Sequence, residues 1–374
     1  MIKRYDYLIV GSGLYGSIFA YEAKKVGKKV LVIEKRDHIG GNVYTEKQDD
    51  IHVHMYGPHH FHTNSRKIWD YINQFAPFRT CDLNNLAFYK GKLYTLPINL
   101  KTFHEVWGIT TADEARKKIE EVRIPCENPN NAEDYILSKV GPEIYNIFFK
   151  GYTTRQWGKS PKELPADIVK RIPIRFNFNC QYHHNATYAG VPIGGFTQIF
   201  DKLLEGIEVK LNTDFFLDIG AWKDIAKKLV YTGPIDKLGS YKHGHLDYRS
   251  LIFEHEKHKG DYQGNPIVAY TEEIVPFNRI VEHKFFDYHN QENTIITKEY
   301  PVEYTNDNEP YYPINDDVNK IKYEKYRKEI SLLTNVIVGG RLGTMQYLDM
   351  DQVIASVLKL VEKELNVKYQ IQSK

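Results

Sequence analysis

The chain has 374 residues, of which 42% are apolar and 26% charged, with a formal net charge of +2. That length allows two or three domains with sizeable cores, and the near-neutral balance gives no case for a nucleic-acid binder, so anion-binding basic residues must be local. No apolar run reaches the roughly eighteen residues of a membrane helix, Tyr7–Val10 is too short for a signal peptide, and the dispersed Cys81, Cys126 and Cys180 fit a reducing, cytoplasmic location. In chain order, Tyr7–Val10 reads as a buried strand followed by Gly11-Ser12-Gly13-Leu14-Tyr15-Gly16. A helix from about Ser17 to Lys25 turns Ile18, Phe19, Ala20 and Ala23 inward; Gly27 ends it, and Lys29–Glu34 reads as a second buried strand. Ser65–Phe75 reads as a helix and Phe88–Pro97 as a hairpin turning at Lys90-Gly91-Lys92. From Asn99 to Phe149 the pattern is mainly helical, with Pro142–Lys150 opening on its proline. Gly151–Cys180, rich in Pro, Arg and Gly, has little periodicity and reads as a mobile segment. Strands follow at Ile207–Leu211, Lys228–Thr232, Arg249–His255, Ile267–Tyr270, Thr294–Tyr300 and Asn335–Gly339, before a closing helix at Leu348–Leu365.

The first forty-odd residues carry a dinucleotide signature in its full context of strand, glycine turn, helix, second strand and terminal acid. Gly11 permits the tight turn, Gly13 lets the backbone approach a pyrophosphate, and Gly16 lets helix and strand pack closely. The helix N-terminus offers its N–H groups and positive dipole end to the phosphates. Glu34 is placed for the adenosine ribose hydroxyls. NAD would suit that unit equally well. Two additions point to FAD: the paired glycines of His38-Ile39-Gly40-Gly41-Asn42 just after Glu34, and a second glycine-rich segment, Gly339-Gly340-Arg341-Leu342-Gly343, between a buried strand and the last helix. Arg341 could pair with pyrophosphate charge.

The blocks Tyr56-Gly57-Pro58-His59-His60-Phe61-His62-Thr63, Gly151-Tyr152-Thr153-Thr154-Arg155-Gln156-Trp157-Gly158, Tyr231–Asp236 and Met345-Gln346-Tyr347-Leu348-Asp349-Met350, together with Gly11–Gly16, resemble the bacterial UDP-galactopyranose mutases over essentially the whole chain. The resemblance implies an isomerase that interconverts UDP-galactopyranose and UDP-galactofuranose through a covalent bond between the sugar and N5 of reduced FAD, with no net oxidation. It also implies a homodimer and a role in supplying galactofuranose to surface glycans. Alternatives are the same chemistry extended to UDP-N-acetylgalactosamine, or a flavin amine oxidase-like oxidoreductase. The fold implied is α/β: a Rossmann-like FAD-binding domain, a helical insertion and a mixed or antiparallel β-sheet substrate domain. The expected bounds are 1–80 with 190–245 and 325–374 for the first, 99–160 with a mobile loop to about 180 for the second, and 81–98, 181–189 and 246–324 for the third.

By the same resemblance Arg171 and Arg279 converge on the diphosphate, with His62 and Asp349 completing the catalytic set. Phe148, Tyr152, Trp157, Tyr182, Arg249, Tyr312 and Tyr347 bind the nucleotide sugar. The cofactor residues are Gly11, Ser12, Gly13, Leu14, Tyr15, Gly16, Glu34, Lys35, Gly41, Asn42, His59, His62, Gly340, Arg341, Tyr347, Leu348, Asp349 and Met350. Read without the resemblance, Asp349 is equally a cap for the closing helix. His52, His54, His59, His60 and His62 crowd eleven positions. No cysteine or acid cluster with ligand spacing accompanies them, so no metal is expected, and His60 carries no assignment.

Overall fold

Burial on both faces is why Tyr5–Val10 and Val30–Ile33 are nearly continuous apolar runs. In the computed structural model, which describes residues 4–367 apart from 82, 171, 184, 219–221, 288–289 and 306, they sit inside a five-stranded parallel sheet. Its order is Glu208–Lys210, Val30–Ile33, Tyr5–Val10, Ala226–Tyr231, Val336–Val338. The helices Leu14–Lys25, Thr197–Leu204 and Met350–Glu364 bury Ile18, Phe19, Phe200 and Ile354 in one core with Ile9 and Val230 of the sheet. Leu8, Leu31, Ile33 and Leu229 share a second core with Phe215. The first helix begins at Leu14 rather than Ser17, because Gly13 already stands at its N-cap position.

A second sheet has seven strands in the order Tyr312–Pro313, Tyr248–Lys259, Asn293–Glu303, Arg279–Glu282, Ile267–Tyr270, Asn85–Tyr89, Lys92–Leu96. Its neighbours run antiparallel except Ile267–Tyr270 beside Asn85–Tyr89. The expected hairpin is its last pair, and Lys90 and Gly91 both take positive φ (49° and 77°), as a two-residue turn matched to strand twist requires. The structure is thus the expected α/β combination of a Rossmann-like unit and a mixed sheet.

Between the strands at 92–96 and 188–192 the chain is largely helical: Leu100–Trp107, Ala112–Val122, Ala132–Ile144, a π-helical turn Tyr145–Lys150, then Gly151–Trp157 and Asp167–Lys170. Asn99, Thr111 and Asn131 each accept a first-turn N–H at a helix start. These helices have their own core, including Phe103, Ile136, Val140, Ile144 and Phe148. The helix Gly151–Trp157 lies in the stretch that reads as irregular. A Cβ at Gly151 would meet the Thr271 carbonyl oxygen at 2.3 Å, so glycine is what lets this helix lie against the 271–273 backbone. Among the described residues no helix is long and apolar enough to cross a membrane.

Candidate active site

Gly11 leaves its strand at φ +99°, and a Cβ there would stand 2.2 Å from Thr232 Oγ1. No side chain caps the helix that starts after Gly13, so its first-turn N–H groups and positive dipole end are left for a ligand anion. The second glycine pair packs directly on this turn. Gly40 N donates to the Ser12 carbonyl at 3.1 Å, and a Cβ at Gly41 would approach Gly13 Cα to 3.0 Å. Gly340, at φ +76°, brings the late glycine segment against Thr232 and Tyr15. A groove walled by backbone in this way fits a dinucleotide pyrophosphate. Leu14 and Tyr15 are buried beneath it.

Glu34 accepts hydrogen bonds from Ser12 N and Ser12 Oγ, both 2.9 Å, and from Arg36 N at 3.1 Å. Of the roughly four acceptor sites of a carboxylate, one on Oε1 remains beyond these three for a ribose hydroxyl. Lys35 pairs with Glu309 at 2.6 Å. Its neighbour Arg36, absent from the sequence-based set, lies over the Tyr56 ring at 4.3 Å and donates to Asn42 Oδ1 at 2.9 Å. Arg341 donates to the Leu348 carbonyl at 2.8 Å and lies over the Tyr347 ring at 4.7 Å. Asp349 is the N-cap of the closing helix, whose first residue is Met350. It also stands 3.8 Å from His62 Nε2 through Oδ2. The N-cap position and the approach to His62 therefore meet in one residue.

Four further histidines, His54, His59, His255 and His283, form a spine. His59 N–H donates to His54 Nδ1 at 2.9 Å, and His54 N–H donates to His283 Nδ1 at 3.2 Å. His283 Nε2 and His255 Nδ1 both meet Thr297 Oγ1, at 2.6 and 2.7 Å. Burial pushes His59 down to about 4 and His283 to about 3, and holds His54 well below the ordinary imidazole value, so these rings are neutral at pH 7. Among the described residues no group of three or more His, Cys, Asp or Glu side chains could hold a metal ion.

On the seven-stranded sheet Arg279 and Glu299 lie directly opposite each other, hence on one face. Arg279 Nε donates to Glu299 Oε2 at 2.6 Å. Burial works against the Arg279 charge, but Glu299 and the Tyr152 and Tyr312 hydroxyls override it and raise its affinity for the proton. Gly57 covers the pair: a Cβ there would lie 3.1 Å from Glu299 Oε1 and 3.7 Å from Arg279 Nη2. Tyr312 stacks on Tyr347 at 5.6 Å and 21°. Arg279, Tyr152, Tyr312, Tyr347 and Arg341 are thereby brought together beside the cradle.

The remaining candidates stand differently. Arg249 is buried, and donates from Nε to the Gln156 carbonyl at 3.0 Å and from Nη2 to the Arg155 carbonyl at 3.1 Å. It therefore clamps the C-terminus of the helix that ends in Trp157. Arg155, in the same block, reaches the other way, to Asn278 Oδ1 and the carbonyls of Glu272 and Tyr270. Asn278 in turn donates to Gln156 Oε1 at 2.7 Å, so this helix is fastened to the residue preceding Arg279. Burial lowers both arginines, as neither makes an ion pair among the described residues. Phe148 is buried edge-on to Tyr94, Trp157 is half-buried, and Tyr182 is 45% exposed. Arg171 lies outside the described residues. Glu299, Asn278 and Gly57 are missed as functional positions by sequence reasoning; Arg155 and Gly57 lie inside its recognised blocks, whereas Glu299 has no local signal.

A family model described as UDP-galactopyranose mutase matches residues 147–347, and one described as an NAD(P)-binding Rossmann-like domain matches residues 9–75. The chain is 39% identical to a probable UDP-galactopyranose mutase of Klebsiella pneumoniae over 96% of its length and 94% of the relative's. It is 33% identical to dTDP-fucopyranose mutase of Escherichia coli, with 95% and 97% covered, and 32% identical to UDP-galactopyranose mutase of Mycoplasma genitalium, with 98% and 96% covered. Among solved structures, a reduced UDP-galactopyranose mutase superposes with a TM-score of 0.77 at 14% identity, covering 98% of this chain and 96% of that one. A putrescine oxidase bound to putrescine superposes at 0.57 and 12% identity, covering 97% and 99%. Both likenesses speak for the fold alone, which hosts different chemistries.

Proposed function

We propose, on the premise that the chain belongs to the UDP-galactopyranose mutase family, that it interconverts UDP-galactopyranose and UDP-galactofuranose as a flavin-dependent isomerase without net oxidation. The family implies a flavin; FAD in particular is supported by the backbone-walled groove over Gly11, Gly13, Gly41 and Gly340, and its acting in the reduced state rests on the family resemblance. Bound and reduced, the flavin supplies the nucleophile for the anomeric carbon. What is left to this chain is to seat the nucleotide sugar and to neutralise the departing diphosphate.

The observation that carries the reading is Arg279. Its Nε is occupied by Glu299, which fixes the plane of the guanidinium and leaves its terminal N–H groups for an anion. A fixed donor fork in a half-buried site stabilises charge as it develops on a leaving group, at little reorganisation cost. Arg171, by family resemblance, is its partner on the diphosphate. Burial raises the Tyr312 hydroxyl and keeps it a neutral donor at pH 7, and Tyr347 gives it a stacked neighbour. His62, with Asp349 beside it, is read as facing the flavin. The three-part division of the chain belongs to the same reading, supported by the separate cores of the parallel sheet and the helical segment.

The test is to incubate the flavin-loaded protein with UDP-galactofuranose, with and without dithionite. Conversion only when reduced, with no oxidised sugar, is the expected outcome. Substrate binding with no ring interconversion in either state, or formation of an oxidised sugar, overturns the reading. The fucopyranose mutase relative, 33% identical over 95% of the chain, favours a second reading, in which a 6-deoxy sugar on thymidine diphosphate undergoes the same isomerisation. Running dTDP-fucose and UDP-N-acetylgalactosamine in parallel and ranking kcat/KM decides between them.

A further inference from the structure

Beside the proposed site three imidazoles lie in parallel. His62, on the strand Phe61–Thr63, is face to face with His183, with 3.7 Å between ring centres and 15° between planes. His60 is parallel to His183 as well, at 5.4 Å and 3°. Tyr182 meets the same His183 ring edge-on, at 4.9 Å and 82°. His183 comes from the segment before the strand Tyr188–Pro192, which pairs antiparallel with Phe61–Thr63 and sets Ala189 opposite His62. The sheet register thus delivers a ring from a distant part of the chain onto the face of His62.

Face-to-face imidazoles hold together only while they are not both cations, since like charges at that separation repel. Here burial lowers His183 to about 3 and His60 to about 4, with neighbouring histidines adding to the effect on His183, so both remain neutral. The His60 ring is held in turn by the Cys81 carbonyl, 3.0 Å from its Nε2. His62 is therefore confined on its face by His183, while its Nε2 edge lies 3.8 Å from Asp349. None of the recognised sequence blocks contains His183.

We propose that His183 is a positioning residue: its ring holds His62 flat toward the flavin and joins it to Tyr182 on the nucleotide-sugar side. This rests on the reading that His62 faces the flavin. A flat neutral ring is what the position demands, and its nitrogens take no part.

The test compares the flavin-loaded wild type with His183→Ala, His183→Phe, His62→Ala and the double alanine variant. The readouts are the flavin midpoint potential without substrate, and kcat and KM for UDP-galactofuranose under reduction. His183→Ala should lower kcat roughly tenfold, short of the ~100-fold cost of displacing a reacting group by about 1 Å, with KM little changed. It should also shift the potential. His183→Phe should restore both. The two alanine substitutions should be non-additive, as for residues in contact. Wild-type potential and kcat in His183→Ala, equal impairment in Phe and Ala, or strict additivity would each overturn the proposal. Should His183→Ala fail to fold, the Phe variant still decides, since loss of kcat there excludes a stacking role. Should the wild type show no mutase turnover, the potential still reports on the stack, which separates failure of the assignment from failure of this proposal.

Discussion

The dinucleotide cradle is made of backbone, whereas the side proposed for the nucleotide sugar is made of side chains. At the cradle the working features are positive φ at Gly11 and Gly340, the missing Cβ atoms of Gly16 and Gly41, and an uncapped helix start. Opposite it, Arg279, Tyr312, Tyr152 and Tyr347 come from the seven-stranded sheet, the helical segment and the last loop. Glu299 holds Arg279, Arg155 and Asn278 fasten the helix that carries Tyr152, and Tyr312 and Tyr347 stack on each other. A binding surface built from backbone tolerates no added atom. One built from side chains tolerates exchange as long as charge and anchoring persist.

That contrast can be broken by substitution. The largest effect belongs to Gly11→Ala, which combines a left-handed backbone cost of about 1–2 kcal/mol with a Cβ placed 2.2 Å from Thr232 Oγ1. Purified protein should lose its flavin absorbance, and a variant that keeps full flavin occupancy would contradict a backbone-walled cradle. Arg279→Lys keeps the charge but not the fork; turnover should fall at least ~100-fold, as for loss of a preorganised donor, with flavin content intact. Loss of flavin instead would put Arg279 on the wrong side of the comparison.

The histidine spine runs from His59 to Thr297 on the seven-stranded sheet, and it predicts an acid-labile core. A buried imidazole whose folded value is depressed binds its proton only on unfolding. The stability it contributes is complete above the ordinary value near 6.5 and is lost as pH falls toward about 4 for His59 and about 3 for His283. Each such ring should steepen the loss by about 1.4 kcal/mol per pH unit within that window. Urea midpoints measured from pH 8 to pH 4 should be flat above 7 and fall below 6.5; a flat profile throughout would mean these rings are hydrated. Arg249→Lys should cost about 1–3 kcal/mol by leaving helix-terminal carbonyls unpaired. It should raise KM less than Arg279→Lys lowers kcat, whereas a collapse of substrate affinity with stability unchanged would make Arg249 a direct ligand. The smallest effect is expected at Gly108→Ala, about 1 kcal/mol for a residue at φ +71° with open space where the Cβ would stand, read from the same urea curves.

The two regions also differ in how far they can be read from sequence. Most of the cradle lies in one stretch, Gly11 to Gly41, where glycine spacing, a strand and a terminal acid suffice, and the distant Gly340 sits in a second glycine-rich segment; Ile267–Tyr270 is likewise legible as a strand to its last residue. The helix Asp317–Ile330 is not, because its buried residues are only Asn319, Tyr326 and Ile330 among many charges. Gly151–Trp157 opens on a glycine that propensity counts against, and its reason is a close approach made by Thr271. Arg279 is identifiable only by resemblance, since sequence alone gives no hint that Glu299 will stand across the sheet from it. His183 is silent for the same reason: its partner is set by strand register.

The five-stranded sheet draws its strands from residues 5–10, 30–33, 208–210, 226–231 and 336–338, with the first of these at its centre. On a ribosome that emits about 5–20 residues per second, the glycine turn emerges within the first moments of synthesis. The strand Val30–Ile33 follows at once and Ala226–Tyr231 past the midpoint, but the edge strand that leads into Gly340 does not arrive until nearly the whole polypeptide has been made. The nascent pocket is therefore open on one side throughout translation. A cradle that includes Gly340 is thus complete only at the end of synthesis, although its first strand and glycine turn are among the first residues made.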